Sequence, residues 1–118
     1  MTPKFNLWPR KDGKTWKEYI LGEISGKGAW YELRYGAKYF NNEEYKTERG
    51  VTVTVEKDKK EYEQAFDITL KQKKLTTLRN LPEEYIHGSL ESTVAELKGI
   101  YGEQVTLDSE VTLLEFII

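Results

Sequence analysis

The stretch TWKEYILGEI, residues 15–24, alternates. Trp16, Ile20 and Ile24 fall on one side, and Lys17, Tyr19, Leu21 and Glu23 on the other. A strand sends successive side chains to opposite faces, so this pattern predicts a strand. SGKG, residues 25–28, reads as a turn. GAWYELRYGAKYF, residues 28–40, then alternates again. Ala29, Tyr31, Leu33, Tyr35, Ala37 and Tyr39 make a core face. Trp30, Glu32, Arg34, Gly36, Lys38 and Phe40 fall on the water side. That second set places large rings among cations, and the combination asks for a partner.

Upstream, Asp12-Gly13 in RKDGKT (10–15) is a hairpin signal that would join a short strand over about 4–9 to the next one. Pro3 and Pro9 place that short strand at an edge or make it an irregular arm. Downstream, NNEEYKTERG (41–50) reads as a loop and VTVTVE (51–56) as a strand. KDKK (57–60) reads as a turn, and EYEQAFDITLK (61–71) as another strand with Tyr62, Phe66, Ile68 and Leu70 on one side. QKKLTTLRNLPEEYIHG (72–88) is a connection with one helical turn after Asn80 and Pro82. SLESTVAELKGIYG (89–102) predicts a helix. Ser89 is its N-cap, Leu90, Val94, Leu97 and Tyr101 share one face, and Gly99 or Gly102 ends it. EQVTL and EVTLLEFII predict a final hairpin across Asp108-Ser109, its last strand buried on both faces. The expected fold is mainly β: a single domain over 1–118, built as a small antiparallel, OB-fold-like β-barrel with one α-helix before the final hairpin.

The 118 residues carry a net charge of −2, which hides a gradient. Residues 1–80 hold 17 of the 18 Lys and Arg and 12 of the 20 acids, a balance of +5; the remainder stands at −7. Ten of the fifteen aromatic residues lie in the first 45. A basic, aromatic-rich half sets a local potential that can attract nucleic acid whatever the whole-chain charge. No run of 18 apolar residues predicts a membrane span, and the opening MTPKFNLWPRKDGK is not that of a signal peptide. With no cysteine the chain suits a reducing compartment and has no disulfide or thiolate metal site.

Catalytic patterns are weak. One histidine, His87, with no cysteine builds no common zinc site, and nothing around Ser89 resembles a nucleophile elbow. GKT at 13–15 and GKG at 26–28 lack the spacing of a phosphate loop. The carboxylate pairs Glu43/Glu44, Glu61/Glu63 and Glu83/Glu84 read as exposed loops rather than as a glycosidase pair. No enzyme activity, metal or cofactor is expected. The informative set is aromatic and basic. Trp30, Arg34 and Lys38 share the water face of 29–40; Trp16, Lys57, Lys59 and Lys60 are second choices, with Lys71, Lys73 and Lys74 on a possible rim. Single-stranded nucleic acid is held this way, rings stacking on unpaired bases while cations follow the phosphates. Aromatic residues with Arg also make protein–protein hot spots, which leaves an interaction module, a phage structural or inhibitory protein, as the alternative.

WPRKDGKTWKEYILGEISGKGAWYELRYG and TVAELKGIYGEQVTL, together with the length and the strand–helix–hairpin order, resemble the small OB-fold single-stranded DNA-binding proteins of lactococcal phages. The resemblance spans essentially the whole chain. It implies sequence-independent binding of single-stranded DNA in phage DNA replication and recombination. It also implies a homodimer or higher homo-oligomer, partnership with a recombinase, and a place in the host cytoplasm. EVTLLEFII reads as a strand where bacterial relatives of that kind carry an acidic tail.

Overall fold

The computed structural model describes residues 3–43, 45–86 and 88–118. The protein is mixed α/β. Its elements run β1 (Lys4–Asn6), α1 (Trp16–Lys27), β2 (Trp30–Tyr35), α2 (Lys38–Asn41), β3 (Arg49–Lys57), β4 (Lys60–Glu61), β5 (Phe66–Thr77), α3 (Leu90–Tyr101) and β6 (Glu110–Ile117). Single 3-10 turns at Leu78–Asn80 and Glu83–Tyr85 precede α3. The six strands form an open sheet ordered β1-β3-β5-β6-β2, with β4 beside β3. β1 runs parallel to β3, while β3 pairs antiparallel with β4 and β5. Closure into a barrel is not part of this order. No helix among the described residues is long and apolar enough to cross a membrane.

The chain divides into two compact units. One holds Met1–Trp30, Glu43–Gln72 and Glu115–Ile118; the other holds Tyr31–Asn42 and Lys73–Leu114. In the first, the register Val51↔Ile68 and Val53↔Phe66 brings alternate β3 and β5 side chains to one face. Val53, Val55, Ile68 and Leu70 are buried there. Phe5 of β1 meets Phe116 of β6 edge to face, centroids 5.7 Å apart. In the second unit Leu78, Leu81, Val105, Val111 and Leu113 form the core, and Leu90, Val94 and Leu97 of α3 pack against it. Val111 to Leu114 are buried in succession, as expected for a strand covered on both faces.

The strand expected over 15–24 is a helix, because four residues is both one helical turn and an even step. Ile20 and Ile24 therefore share a face in either reading, and both are buried. The ends decide. Thr15 Oγ1 accepts from Glu18 N at 3.1 Å, and the Trp16 N–H is met by Glu63 Oε1 at 2.7 Å. At the other end Gly28 takes φ 92° and its N–H reaches Ile24 O at 2.7 Å, so SGKG is the last turn and its cap rather than a β-turn. Glu23 and Lys27, one turn apart, pair at 2.9 Å, which lowers the Glu23 carboxyl's pKa.

Three further expectations change. The Asp12-Gly13 hairpin does not form: Asp12 accepts from Arg10 and from Lys14 N, and the chain passes to α1. The strand beginning at 29 stops at Tyr35. Gly36 takes φ 83°, its N–H bonds Glu110 O, its carbonyl accepts from Thr112 Oγ1, and α2 follows. The final hairpin is a single strand, β6. Thr106 and Ser109 close local turns through their hydroxyls, and the carbonyls of Leu107 and Ser109 accept from Arg79 N and Leu78 N, so 103–109 is no partner strand for β6. β5 instead extends to Thr77, into the segment read as a connection.

Candidate nucleic-acid interface

In the first unit, residues 7–16 link β1 to α1 and are pinned at several points. Leu7 N donates to Glu56 O at 3.1 Å, and the Tyr62 hydroxyl donates to Leu7 O. Burial, reinforced by the Glu63 charge, raises the Tyr62 phenol's pKa, so it remains a donor at neutral pH. Trp16 Nε1 donates to Trp8 O at 2.9 Å. The Trp8 backbone is thus held while its side chain faces solvent, the residue being 71% exposed. Lys57 Nζ sits 4.2 Å from the Trp8 ring centroid.

Beside it lies an aromatic chain. Trp16 meets Tyr19 edge to face at 5.6 Å, and Tyr19 meets Trp30 at 5.9 Å. The Arg10 guanidinium stacks over Tyr19 at 3.7 Å and lies 4.9 Å from the Trp16 ring, while Asp12 takes two of its N–H groups at 2.6 and 3.2 Å. Those bonds, with the Lys14 backbone N–H, hold the Asp12 carboxyl at a pKa of about 2. Arg10 is therefore occupied with the fold, and its role is to brace the rings.

The KDKK turn joins β3 to β4, with Lys57 opposite Lys60 and Glu56 opposite Glu61. Asp58 and Lys59 at its tip take φ 53° and 65°. Lys59 and Lys60 are exposed.

Of the residues singled out from sequence, Trp16, Trp30, Lys57, Lys59 and Lys60 belong to this first unit, and Arg34 and Lys38 to the second. Trp16 opens α1 rather than lying on a sheet, and both Trp16 and Trp30 are half-buried against Tyr19. In the second unit Arg34 Nε lies 4.0 Å from Glu32 Oε2, and its guanidinium stands over Tyr39 at 5.2 Å. Lys38 is not on the Arg34 strand: the bend at Gly36 moves it to the start of α2, where it is exposed. Lys71 pairs with Glu115 at 3.4 Å and Lys73 donates to Asn42 O at 3.2 Å. His87 and Glu44 lie outside the described residues. Sequence reasoning missed Trp8, the most exposed large apolar side chain described. The signal was there in a tryptophan directly before Pro9, at the end of the short segment 4–9.

The second unit also carries a groove of about 490 Å³ along α3, lined by Leu90, Glu91, Val94, Ala95, Lys98 and Leu107. No protein-family model, curated protein or solved structure matches this chain.

Proposed function

We propose that the protein binds single-stranded DNA without sequence preference and has no catalytic role. The observation that carries this reading is Trp8: an indole 71% exposed on a backbone pinned from both sides, with a lysine 4.2 Å from its ring and two more on the adjoining turn. A ring carried on a fixed backbone costs less to order when a base stacks on it than one on a free loop, and stacking is worth about 1–3 kcal/mol per base whatever the base. The lysines supply the phosphate contacts. The resemblance of WPRKDGKTWKEYILGEISGKGAWYELRYG and TVAELKGIYGEQVTL to OB-fold single-stranded DNA-binding proteins of lactococcal phages supports the same reading; the strand–helix–hairpin order, which the structure replaces, does not. That resemblance extends the reading to a homo-oligomer that works with a recombinase in phage replication and recombination, in the host cytoplasm.

The test is a titration of the intrinsic tryptophan fluorescence with (dT)12 at two salt concentrations. The expected result is strong quenching, with affinity falling by a log–log slope of about −0.7 per phosphate contact. Trp8→Ala should weaken binding to every sequence alike, and Lys59→Gln should flatten the slope. Absence of binding at low salt overturns the reading.

The protein-interaction alternative has an observation of its own. The α3 groove has mostly apolar walls, and Ile100 and Tyr101 on the same helix are 65% and 46% exposed. Binding of a protein through such a surface would depend weakly on salt, which separates the two readings in one experiment.

A further inference from the structure

The hairpin joining β3 to β4 is built against its own stability. The two residue pairs in register across it each oppose like charges, Glu56↔Glu61 and Lys57↔Lys60. Like charges directly across an antiparallel pair repel, and the opposite pairing would have served the same backbone. The turn adds a second cost. Two-residue hairpin loops with both central residues at positive φ favour Asn-Gly or Asp-Gly; here Lys59 fills the second place at φ 65°. A lysine Cβ is crowded there in a way glycine is not. Backbone strain of this kind persists where surrounding structure over-determines it, and it gathers at ligand-binding sites.

The geometry says what ligand would compensate. Cross-strand partners share a face and successive residues alternate, so Lys57 and Lys60 project together while Glu56 and Glu61 project from the other side. Trp8 marks the lysine side, since Lys57 Nζ lies 4.2 Å from its ring centroid. Two ammonium groups held across a strand pair, with an exposed indole beside them, match an anion carrying an aromatic group.

We propose that this tip is a one-nucleotide subsite. A phosphodiester bridges Lys57 and Lys60, the attached base stacks on the indole face of Trp8 turned away from Lys57, and occupancy relieves the lysine repulsion. The inference rests on the single-stranded DNA reading and deepens it: it names where one nucleotide sits, and it makes the free hairpin less stable than its simplest variants. Binding and hairpin stability are therefore opposed in the free protein and joined in the complex.

The experiment compares thermal unfolding and (dT)12 affinity at low salt for the wild-type chain, Lys60→Glu, Lys59→Gly and Lys60→Arg. Lys98→Glu on α3 is the control for the same change of net charge. Lys60→Glu replaces the repulsive pair with an attractive one and should raise Tm by roughly 2–4 °C. The same change should lower affinity at least tenfold. Lys59→Gly should also raise Tm while weakening binding a few-fold. Lys60→Arg should bind as the wild type does, and so should Lys98→Glu. If the wild type binds (dT)12 and Lys60→Glu binds within twofold of it, the subsite is overturned and the single-stranded DNA reading stands. If the wild type does not bind, both fall.

Discussion

α1 and α3 are both twelve residues long, yet their sequences announce them very differently. α3 carries its instructions within itself. Ser89 caps the Ser92 N–H, the Ser92 hydroxyl returns to Ser89 N, and Leu90, Val94 and Leu97 repeat at helical spacing toward the core. α1 carries Gly22 and Gly26 in its interior and an apolar spacing that fits a strand equally well. Part of what holds its first turn is remote: Glu63, 47 positions away, meets the Trp16 N–H. The lesson is that a helix whose caps come with an apolar stripe of helical spacing can be read from sequence; α1 has local caps in Thr15 and Gly28, but its apolar spacing fits a strand equally well and hides them.

The largest test of this contrast lies in the cores beneath the two helices. Ile20 is wholly buried, so Ile20→Ala should cost about 2–5 kcal/mol in denaturant unfolding. Val94 is only half-buried, and Val94→Ala should cost about 1 kcal/mol. Equal costs would mean that α1 is no better anchored than α3. Next come the caps. Glu63→Ala and Ser89→Ala should each destabilise by about 1 kcal/mol. Hydrogen exchange should show the first change loosening the start of α1 from another part of the chain, while the second acts only on α3.

Smaller effects sharpen the comparison. A Cβ placed on Gly22 or Gly99 meets no neighbour within 4 Å. Gly22→Ala should therefore stabilise by about 0.5–1 kcal/mol, since alanine is the better helix residue. A loss of stability would bring back the strand reading of residues 15–24. The smallest effect is a titration. Because the Asp12 pKa is lowered to about 2 in the folded chain, its contribution to stability is present above the ordinary carboxylate range and is lost as pH falls through about 2. NMR of the Asp12 carboxyl should place its midpoint near 2 in the wild type and return it toward 3.8 in Arg10→Ala.

The same distinction explains the rest of what the sequence disclosed. β3, the 57–60 turn, the 3-10 turn after Pro82, α3 with its Ser89 cap, and the doubly buried β6 were legible, because alternation, caps and turn residues are local signals; of the two glycines that could end α3, Gly99 and Gly102, the structure uses Gly102. The parallel pairing of β1 with β3 was not, since an edge strand of three residues has too little pattern to choose a partner. The Asp12-Gly13 hairpin misled because Arg10, braced by Tyr19 and Trp16, claims the aspartate first. At the candidate site, the lysines of the turn were legible as a charge cluster and Trp16 and Trp30 as rings. Their burial and the prominence of Trp8 were not, because exposure is decided by which residues the fold happens to cover.

The strand order has a consequence for how the chain is made. β6 lies between β5 and β2, yet it follows both in the sequence. On the ribosome, β2 emerges early and waits through the synthesis of β3, β4, β5 and α3 for the neighbour that will complete its ladder. Until residues 110–117 leave the exit tunnel, β5 and β2 each present an open backbone edge, the kind of surface that pairs with other chains. A nascent or truncated chain that stops short of β6 should therefore be prone to aggregate, and the full chain should complete its sheet in one late step.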